Sequence, residues 1–257
     1  MARLRTPLLL KIKMRIDVFL AENGYTDSRT EAKSLILSGS VKVNDKVIFK
    51  PSFDISEDDA TVCVNRSIKK YVSRGGDKLE GALNAFNLNV TGKIAIDIGA
   101  SSGGFTDCLL QNGASKVICI DSGTNQLVNK LRLDERVICH ENFNARYLSK
   151  DDLEYIPNLA VMDVSFISAT LIIPAVFEIL SLDSDFICLV KPQFEVGREK
   201  LGKGGIVKDE KARRFALQKV NDFAVSVGFT YIGSITSPIE GGDGNIEYLS
   251  HFRKIGR

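Results

Sequence analysis

Four ionisable side chains of this sequence have types that can stabilise a developing charge and transfer protons: Lys78, Asp163, Lys191 and Glu247. An ammonium group stabilises the negative charge that develops on an attacking oxygen. A lysine whose pKa is lowered by a second cation can also accept the proton itself. Each of the four could equally be a surface charge or one half of a salt bridge. Whether these four residues lie close together therefore depends on the helices and strands that carry them.

The predicted elements place these residues at one edge of a doubly wound α/β sheet, because apolar β-branched segments alternate with helical patterns. Asp163 and Lys191 come at the ends of adjacent predicted strands. Lys78 lies in the first turn of the helix before the sheet, and Glu247 lies in the last strand. Ligands bind at the carboxyl ends of such strands, so the four residues are expected in one crevice. The predicted strands span 94–98, 116–121, 136–140, 158–163, 185–191, 229–235 and 245–252, and the predicted helices span 73–87, 105–110, 125–133, 169–180 and 209–228.

A strand, a glycine-rich turn and a helix start over 94–110 predict a cradle for a nucleotide-like ligand. Three non-glycine residues separate Gly99 from Gly103, which disfavours the G-x-G-x-x-G spacing of nicotinamide enzymes. The pattern D-x-G-x-x-x-G-G-F resembles the S-adenosylmethionine (SAM) loop of Rossmann-like methyltransferases; an ordinary βα turn is the alternative. Asp121 ends the next strand, where an acid meets ribose hydroxyls. The predicted cofactor-binding residues are Asp97, Gly99, Ala100, Ser101, Gly103, Gly104, Phe105, Asp121, Asn142 and Asp163.

Composition disfavours several other classes of protein. No apolar run approaches the roughly 20 residues that span a bilayer, and a membrane partner is not expected. The five cysteines lack C-x-x-C spacing and only two histidines are present, so no metal site is expected. Residues 1–78 carry 15 Lys and Arg against 10 Asp and Glu. This excess indicates an anionic partner at one end of the chain, although a solvated charged surface is the alternative.

The first part of the chain predicts a small α+β domain at 14–64, after a leader at 1–13 and before a basic linker at 65–72. Ser28 and Glu31 form a capping box, and 41–48 reads as two strands around an Asn44-Asp45 turn. Its motifs R-x-D-x-F-L-A, S-R-T-E-A-K-S-L-I and G-S-V-K-V-N resemble the S4-type RNA-binding domain; a helical hairpin with exposed charges is the alternative. The residues predicted to face RNA, from this resemblance and from the charge of the linker, are Arg15, Ser28, Arg29, Lys33, Lys42, Lys69 and Lys70.

Five further segments make the resemblance specific. They are S-R-G-G-x-K-L at 73–79, D-I-G-A-S-S-G-G-F-T at 97–106, D-V-S-F-I-S at 163–168, K-P-Q-F-E-V-G at 191–197 and G-N-I-E-Y at 244–248. Together with the S4 pattern they resemble the TlyA family, in which an S4 domain precedes an FtsJ-like methyltransferase domain, here 73–257. The resemblance implies methyl transfer from SAM to a cytidine ribose 2′-hydroxyl of ribosomal RNA. It also implies a cytoplasmic protein that meets ribosomal RNA or ribosomal subunits, and it names no protein partner.

The resemblance maps a catalytic tetrad onto Lys78, Asp163, Lys191 and Glu247. A ribose hydroxyl is a poor nucleophile, so it must be aligned and helped to lose its proton. Lys191 is assigned as the base or alkoxide stabiliser, and Lys78 as the second cation that holds the hydroxyl. The two carboxylates would orient these lysines, and Asp163 would also face the SAM sulfonium. The rival functions are a membrane-active haemolysin, since members often carry that name, and a non-catalytic RNA-binding protein.

Overall fold

A computed structural model describes residues 13–26, 28–37, 39–56, 61–64, 70–241 and 244–256. The chain divides between residues 69 and 70 into two compact units, each with its own apolar core. Most of the predicted leader and residues 65–69 of the predicted linker lie outside the described residues, so the domain limits stay predictions. Lys13 departs from its assignment to the leader, because it pairs with Ser56 at the start of a strand.

The first unit packs two helices against short strands. Ser28 begins the second helix as predicted, since its hydroxyl accepts the N–H of Glu31 at 3.2 Å. The predicted hairpin also forms, and Asn44 and Asp45 turn it with positive φ. Its elements are β1 (Lys13–Arg15), α1 (Ile16–Glu22), α2 (Arg29–Leu37), β2 (Val41–Val43), β3 (Lys46–Val47), β4 (Asp54–Ser56) and β5 (Val62–Val64).

The second unit is a seven-stranded sheet with helices on both faces, which confirms the predicted fold class. Its strand order in the described residues is β11-β12-β10-β9-β6-β7-β8, and β12 runs opposite to the other six strands. The order reverses at β6 and β9, where doubly wound sheets open a crevice. The strands are β6 (Ile94–Ile98), β7 (Lys116–Ile120), β8 (Val137–His140), β9 (Leu159–Met162), β10 (Ser184–Val190), β11 (Thr230–Thr236) and β12 (Tyr248–Lys254).

The helices of this unit pack their apolar sides on the sheet. The longest one begins at a capping residue, Asp209, whose carboxylate accepts the N–H of Lys211. Among the described residues, no helix is long and apolar enough to cross a membrane. The helices are α3 (Gly75–Ala85), α4 (Gly104–Gln111), α5 (Asn129–Arg132), α6 (Ile173–Ile179), α7 (Pro192–Glu195) and α8 (Glu210–Val227).

Several predicted element bounds differ from those of the structure, and two of these differences bear on the site. The helix predicted over 125–133 shrinks to α5, because the Glu141 carboxylate accepts the N–H groups of residues 125–127 and holds them in a turn. Glu247 was expected inside the last strand but directly precedes it. The strand β12 pairs with β10 only as far as Tyr248, opposite Val190, so Glu247 projects beyond the end of the ladder.

Candidate active site and RNA-binding residues

Three hollows lie along the carboxyl ends of the parallel strands, and Ser165 lines all of them. The wide groove, about 380 Å³, lies between the segments that follow β6, β7 and β9. The loop cleft, about 280 Å³, lies over the glycine-rich turn at 99–105. The outer cleft, about 300 Å³, extends from Lys191 to the segment 201–205. The three hollows therefore adjoin one another along this edge of the sheet.

Gly99 allows the turn after β6 to cross the segment after β9. It has a φ of +82°, and a Cβ at this position would lie 2.3 Å from the backbone oxygen of Asp163. Only glycine can combine this conformation with so close an approach. The prediction that Gly99 shapes the cradle thus has a physical reason in the structure, and Gly99 lines both the wide groove and the loop cleft.

Asp121 fixes the shape of the same turn. One carboxylate oxygen accepts the N–H of Ser101 at 2.7 Å, and the other accepts the N–H of Gly123 at 2.7 Å. Each oxygen keeps a further lone pair, and the side chain lines the wide groove. A contact between Asp121 and ribose hydroxyls stays a prediction that this geometry permits. Ala100, Ser101, Gly104 and Phe105 line the loop cleft, as their assignment to the cofactor site requires.

Two predicted cofactor residues lie behind the site. Asp97 is fully buried, lines none of the three hollows, and accepts a hydrogen bond of 2.6 Å from the Thr106 hydroxyl. Gly103 starts α4 with a φ of +94°, and a Cβ there would lie 2.3 Å from Leu131. Both residues therefore set the position of the turn from below.

Burial, partly offset by the Thr106 hydrogen bond, raises the pKa of Asp97 to about 7. The ordinary pKa is 3.8, so the unfolded chain loses this proton first and stability falls as pH rises from about 4 to about 7. At about 1.4 kcal/mol per pKa unit, the full penalty above pH 7 is roughly 4 kcal/mol. Asp97→Asn keeps an acceptor for the Thr106 hydroxyl but has no proton to lose. We therefore expect its stability, relative to that of the wild type, to increase as pH rises from about 4 to about 7. Denaturant unfolding at pH 5 and pH 8 tests this, and a gain equal at both values would contradict it.

Asn142 also lies outside the three hollows, and its Oδ1 accepts the Thr124 hydroxyl at 2.5 Å. Its neighbours Phe143 and Asn144 line the wide groove instead. Glu141 lines none of the three hollows, but it holds the segment 125–127, in which Gln126 forms another wall of the wide groove. Burial raises the pKa of Glu141, but the backbone N–H donors and Arg132 outweigh it and lower the pKa to about 2. Glu141 therefore stays charged and keeps its wall of the groove in one shape.

The structure brings the four predicted catalytic residues together as two ion pairs. Nζ of Lys191 lies 2.5 Å from Oδ1 of Asp163 and 2.8 Å from the Ser165 hydroxyl. Nζ of Lys78 lies 2.5 Å from Oε2 of Glu247, and both side chains are buried. Lys78 shares the loop cleft with Lys191, and Glu247 shares the outer cleft with it. Both ammonium groups and both carboxylates thus converge beside the turn at Gly99.

Sequence reasoning missed Glu195, which joins the two segments that carry this cluster. Its buried carboxylate accepts the Ser168 hydroxyl and the Ala169 N–H, each at 2.6 Å. Lys219 of α8 reaches the same carboxylate at 3.2 Å. Since Glu195 follows Lys191 by four residues and Ser168 follows Asp163 by five, this contact fixes the spacing of the Asp163–Lys191 pair. The K-P-Q-F-E-V-G segment contains Glu195, but the segment alone does not indicate that Glu195 contacts Ser168 and Ala169.

No group of three or more His, Cys, Asp and Glu side chains among the described residues could hold a metal ion.

The residues predicted to face RNA differ in their surroundings. In the first unit, Arg15 and Arg29 share one buried acceptor, Asp17. Lys33 and Lys42 are exposed, and the Ser28 hydroxyl is used as a helix cap. Lys70 pairs with Glu80 and lies over the Tyr71 ring, whereas Lys69 lies outside the described residues.

Each unit of the chain matches a known protein family. Residues 71–254 match the FtsJ-like methyltransferase family. The chain belongs to that family. Residues 14–60 match the S4 domain, so the order of domains is that of the TlyA-like proteins and the resemblance seen in the sequence is confirmed. The FtsJ-like match contains all four members of the ion-paired cluster.

Three TlyA-like relatives span nearly the whole chain. The 16S/23S rRNA (cytidine-2′-O)-methyltransferase TlyA of Mycobacterium tuberculosis is 40% identical over 94% of this chain and 90% of its own. Hemolysin A of Brachyspira hyodysenteriae is 45% identical over 93% and 99%. A solved structure from Streptococcus thermophilus that carries a hemolysin name is 46% identical, with a TM-score of 0.75, over 96% and 90%. The names of these relatives indicate two activities, methylation of ribosomal RNA and haemolysis. The chemistry of the site is needed to distinguish between them.

Proposed function

We propose that this FtsJ-like methyltransferase transfers the methyl group of SAM to a ribose 2′-hydroxyl of a cytidine in ribosomal RNA. The observation that carries the proposal is the pair of lysine–carboxylate contacts at the junction of the wide groove, the loop cleft and the outer cleft. Cations and carboxylates suit activation of a hydroxyl oxygen rather than insertion into a membrane. The relative named TlyA acts on cytidine in ribosomal RNA, which supports the choice of substrate.

The residues present fit SAM, the methyl donor of the family. Asp121, Asn144 and Phe143 would hold its adenosine in the wide groove, and the backbone at 99–104 would hold its methionine portion in the loop cleft. Gly104 allows the turn to pack closely against Ser73 on the other side of that cleft, since a Cβ at residue 104 would lie 2.2 Å from the Ser73 hydroxyl. When bound, SAM supplies a sulfonium-linked methyl group that is open to in-line attack.

The chain's own residues would prepare the hydroxyl. Because Lys191 lies in an ion pair, we assign it the stabilisation of negative charge on the ribose oxygen. Lys78 adds a second cation beside the loop cleft and aligns the hydroxyl. The hydroxyl proton is accepted within the same cluster, by the Asp163 carboxylate beside Lys191. Glu247 keeps Lys78 in place.

A pair of aromatic rings beside this cluster, one exposed and one half-buried, supports a nucleotide substrate. Phe166 is 92% exposed and has a φ of +63°, which is rare for a bulky residue. Its ring lies 5.3 Å from the ring of Phe194, and both line the outer cleft with Lys191. Aromatic side chains stack on the unpaired bases of RNA. A base placed there would bring its ribose towards Lys191.

The first unit supports an RNA partner through a fixed pair of guanidinium groups. Asp17 is fully buried and accepts two bonds from Arg15, at 2.9 and 3.1 Å, and one from Arg29, at 3.2 Å. Burial alone would raise the pKa of Asp17, but the two arginines outweigh it and lower the pKa. The arginines remain about half exposed, so their free N–H groups face outwards. Such a pair matches the bidentate geometry of phosphate.

We expect Asp17→Asn to weaken binding to ribosomal RNA, by about tenfold or 1.4 kcal/mol. The change removes a negative charge, so electrostatics alone would tighten binding, whereas loss of the fixed arginine pair loosens it. The two explanations predict opposite signs. Filter binding with the full chain measures the Kd. Glu22→Gln is the matched control, because it removes an exposed acid of the same helix. Tighter binding by Asp17→Asn would contradict a positioning role.

The experiment that tests the function is transfer of a labelled methyl group from SAM to small subunits, large subunits, intact ribosomes and naked ribosomal RNA. We expect label in the ribose of at least one of these substrates. Ribosomal substrates also fit a location in the cytoplasm. Digestion to nucleosides separates label on ribose from label on bases. Label on bases alone, or SAM binding without transfer to any substrate, would contradict the proposal and favour a different acceptor or a non-catalytic RNA-binding role.

A further inference from the structure

A basic loop forms the far wall of the outer cleft. Between residues 198 and 208 the chain carries Arg198, Lys200, Lys203 and Lys208 against a single acid, Glu199. The four cationic side chains are exposed. Leu201, Gly204 and Gly205 of the same loop line the outer cleft. The loop thus places positive charge at the rim of the hollow that contains Lys191 and Glu247.

The cations of this loop are not neutralised by any carboxylate in the described part of the chain. Among the residues that the structure describes, neither Lys200, Lys203 nor Lys208 forms an ion pair with a carboxylate. By contrast, Lys78 and Lys191, which line the loop cleft, are paired with acids. A run of unpaired cations beside a substrate site indicates an anionic partner.

Hydrogen bonds from side chains outside the loop also fix its backbone conformation. The buried Asn245 accepts the Val207 N–H at 3.0 Å and donates to the Gly205 oxygen at 3.2 Å. Arg213 donates to the backbone oxygens of Val207 and Lys208, at 3.0 and 2.7 Å. Within the loop, Gly202 N–H donates to the Ile206 oxygen at 2.9 Å. The lysines therefore project from a fixed backbone, which lowers the entropy lost when they bind.

We propose that this loop binds the RNA backbone, with Lys200 and Lys203 contacting phosphates of the nucleotides next to the one that enters the outer cleft. The inference rests on the proposed function and adds a second RNA contact, independent of the S4 domain. Phosphate contacts position a nucleic acid without reading its sequence. The loop would thereby hold the target strand across the mouth of the cleft, while Asn245 positions the loop.

The test compares two double variants of the full chain with ribosomal RNA or the ribosomal subunit that the wild type methylates. Lys200→Gln with Lys203→Gln removes the two loop charges. Lys116→Gln with Lys150→Gln removes two charges elsewhere in the same unit and is the matched control. We expect the loop variant to raise KM by about tenfold while leaving kcat and SAM affinity unchanged. Each lost phosphate contact should also flatten the slope of log(kcat/KM) against log[salt] by about 0.7–0.9.

The outcomes separate this proposal from the proposed function. If the wild type methylates RNA but the loop and control variants share one KM and one salt slope, the loop does not bind the backbone. If the loop variant loses kcat rather than raising KM, the lysines act on the reaction and the proposed role is wrong. If the wild type methylates no RNA, the proposed function fails, and a backbone-binding role falls with it.

Discussion

Lys191→Ala is expected to lower kcat for methyl transfer by about 10²–10³-fold, the range lost when one group that stabilises a developing oxyanion is removed. The Lys191 ammonium lies 2.5 Å from Asp163 and faces both the loop cleft and the outer cleft. Its removal takes away the charge that would stabilise the attacking oxygen. SAM binding should persist in large part, because Lys191 does not line the wide groove that would hold the adenosine and would meet SAM only in the loop cleft. Single-turnover methyl transfer and equilibrium SAM binding measure the two effects separately.

Lys93→Ala is the matched control for this change. Lys93 also forms an ion pair, with Asp185 at 2.9 Å, but it lies before β6 at the opposite edge of the sheet. Loss of its charge leaves Asp185 paired with His251 and is expected to cost stability, not turnover. Retained activity in Lys191→Ala, or an equal loss of kcat in Lys93→Ala, would contradict the role assigned to Lys191.

Gly99→Ala is expected to weaken SAM binding by more than about tenfold. The new Cβ would lie 2.3 Å from the Asp163 backbone oxygen, so the segment after β9 must shift and carry Asp163 with it. Overpacking of this kind typically costs about 1–3 kcal/mol, and a positive φ adds strain for any residue with a Cβ. Calorimetric titration with SAM measures the affinity, and thermal unfolding measures the cost to the fold.

Gly92→Ala separates strain from collision. Gly92 has a φ of +75°, close to that of Gly99, but no atom lies within 4 Å of the position that its Cβ would take. It should therefore lose some stability and keep its affinity for SAM. If Gly99→Ala binds SAM as tightly as Gly92→Ala does, the close crossing of the two segments is not needed for the cofactor site.

The strand and helix pattern of the second unit could be predicted from local sequence, since buried β-branched runs such as 94–98 carry a signal in themselves. Contacts between distant segments could not. The turn at 125–127 exists because Glu141 accepts its N–H groups, and nothing near residue 125 announces that acceptor. A helical pattern was therefore predicted where a long-range hydrogen bond prevails.

The site shows the same division between local pattern and long-range contact. The sequence predicted that Lys78, Asp163, Lys191 and Glu247 meet, but only the folded chain pairs Lys78 with Glu247 and Lys191 with Asp163. The motif D-x-G also does not distinguish a residue that lines the cleft, as Gly99 does, from one buried beneath it, as Asp97 is. That distinction depends on which way each side chain leaves the strand.

The most direct test of the account identifies the modified nucleoside itself. Ribosomal RNA from cells that lack the gene is incubated with SAM and the pure wild-type chain, or with Lys191→Ala, and is then digested to nucleosides for mass spectrometry. We predict 2′-O-methylcytidine that increases with the wild type and does not increase with the variant. Unchanged 2′-O-methylcytidine with the wild type, or a methylated base in its place, would contradict a ribose-directed methyltransferase.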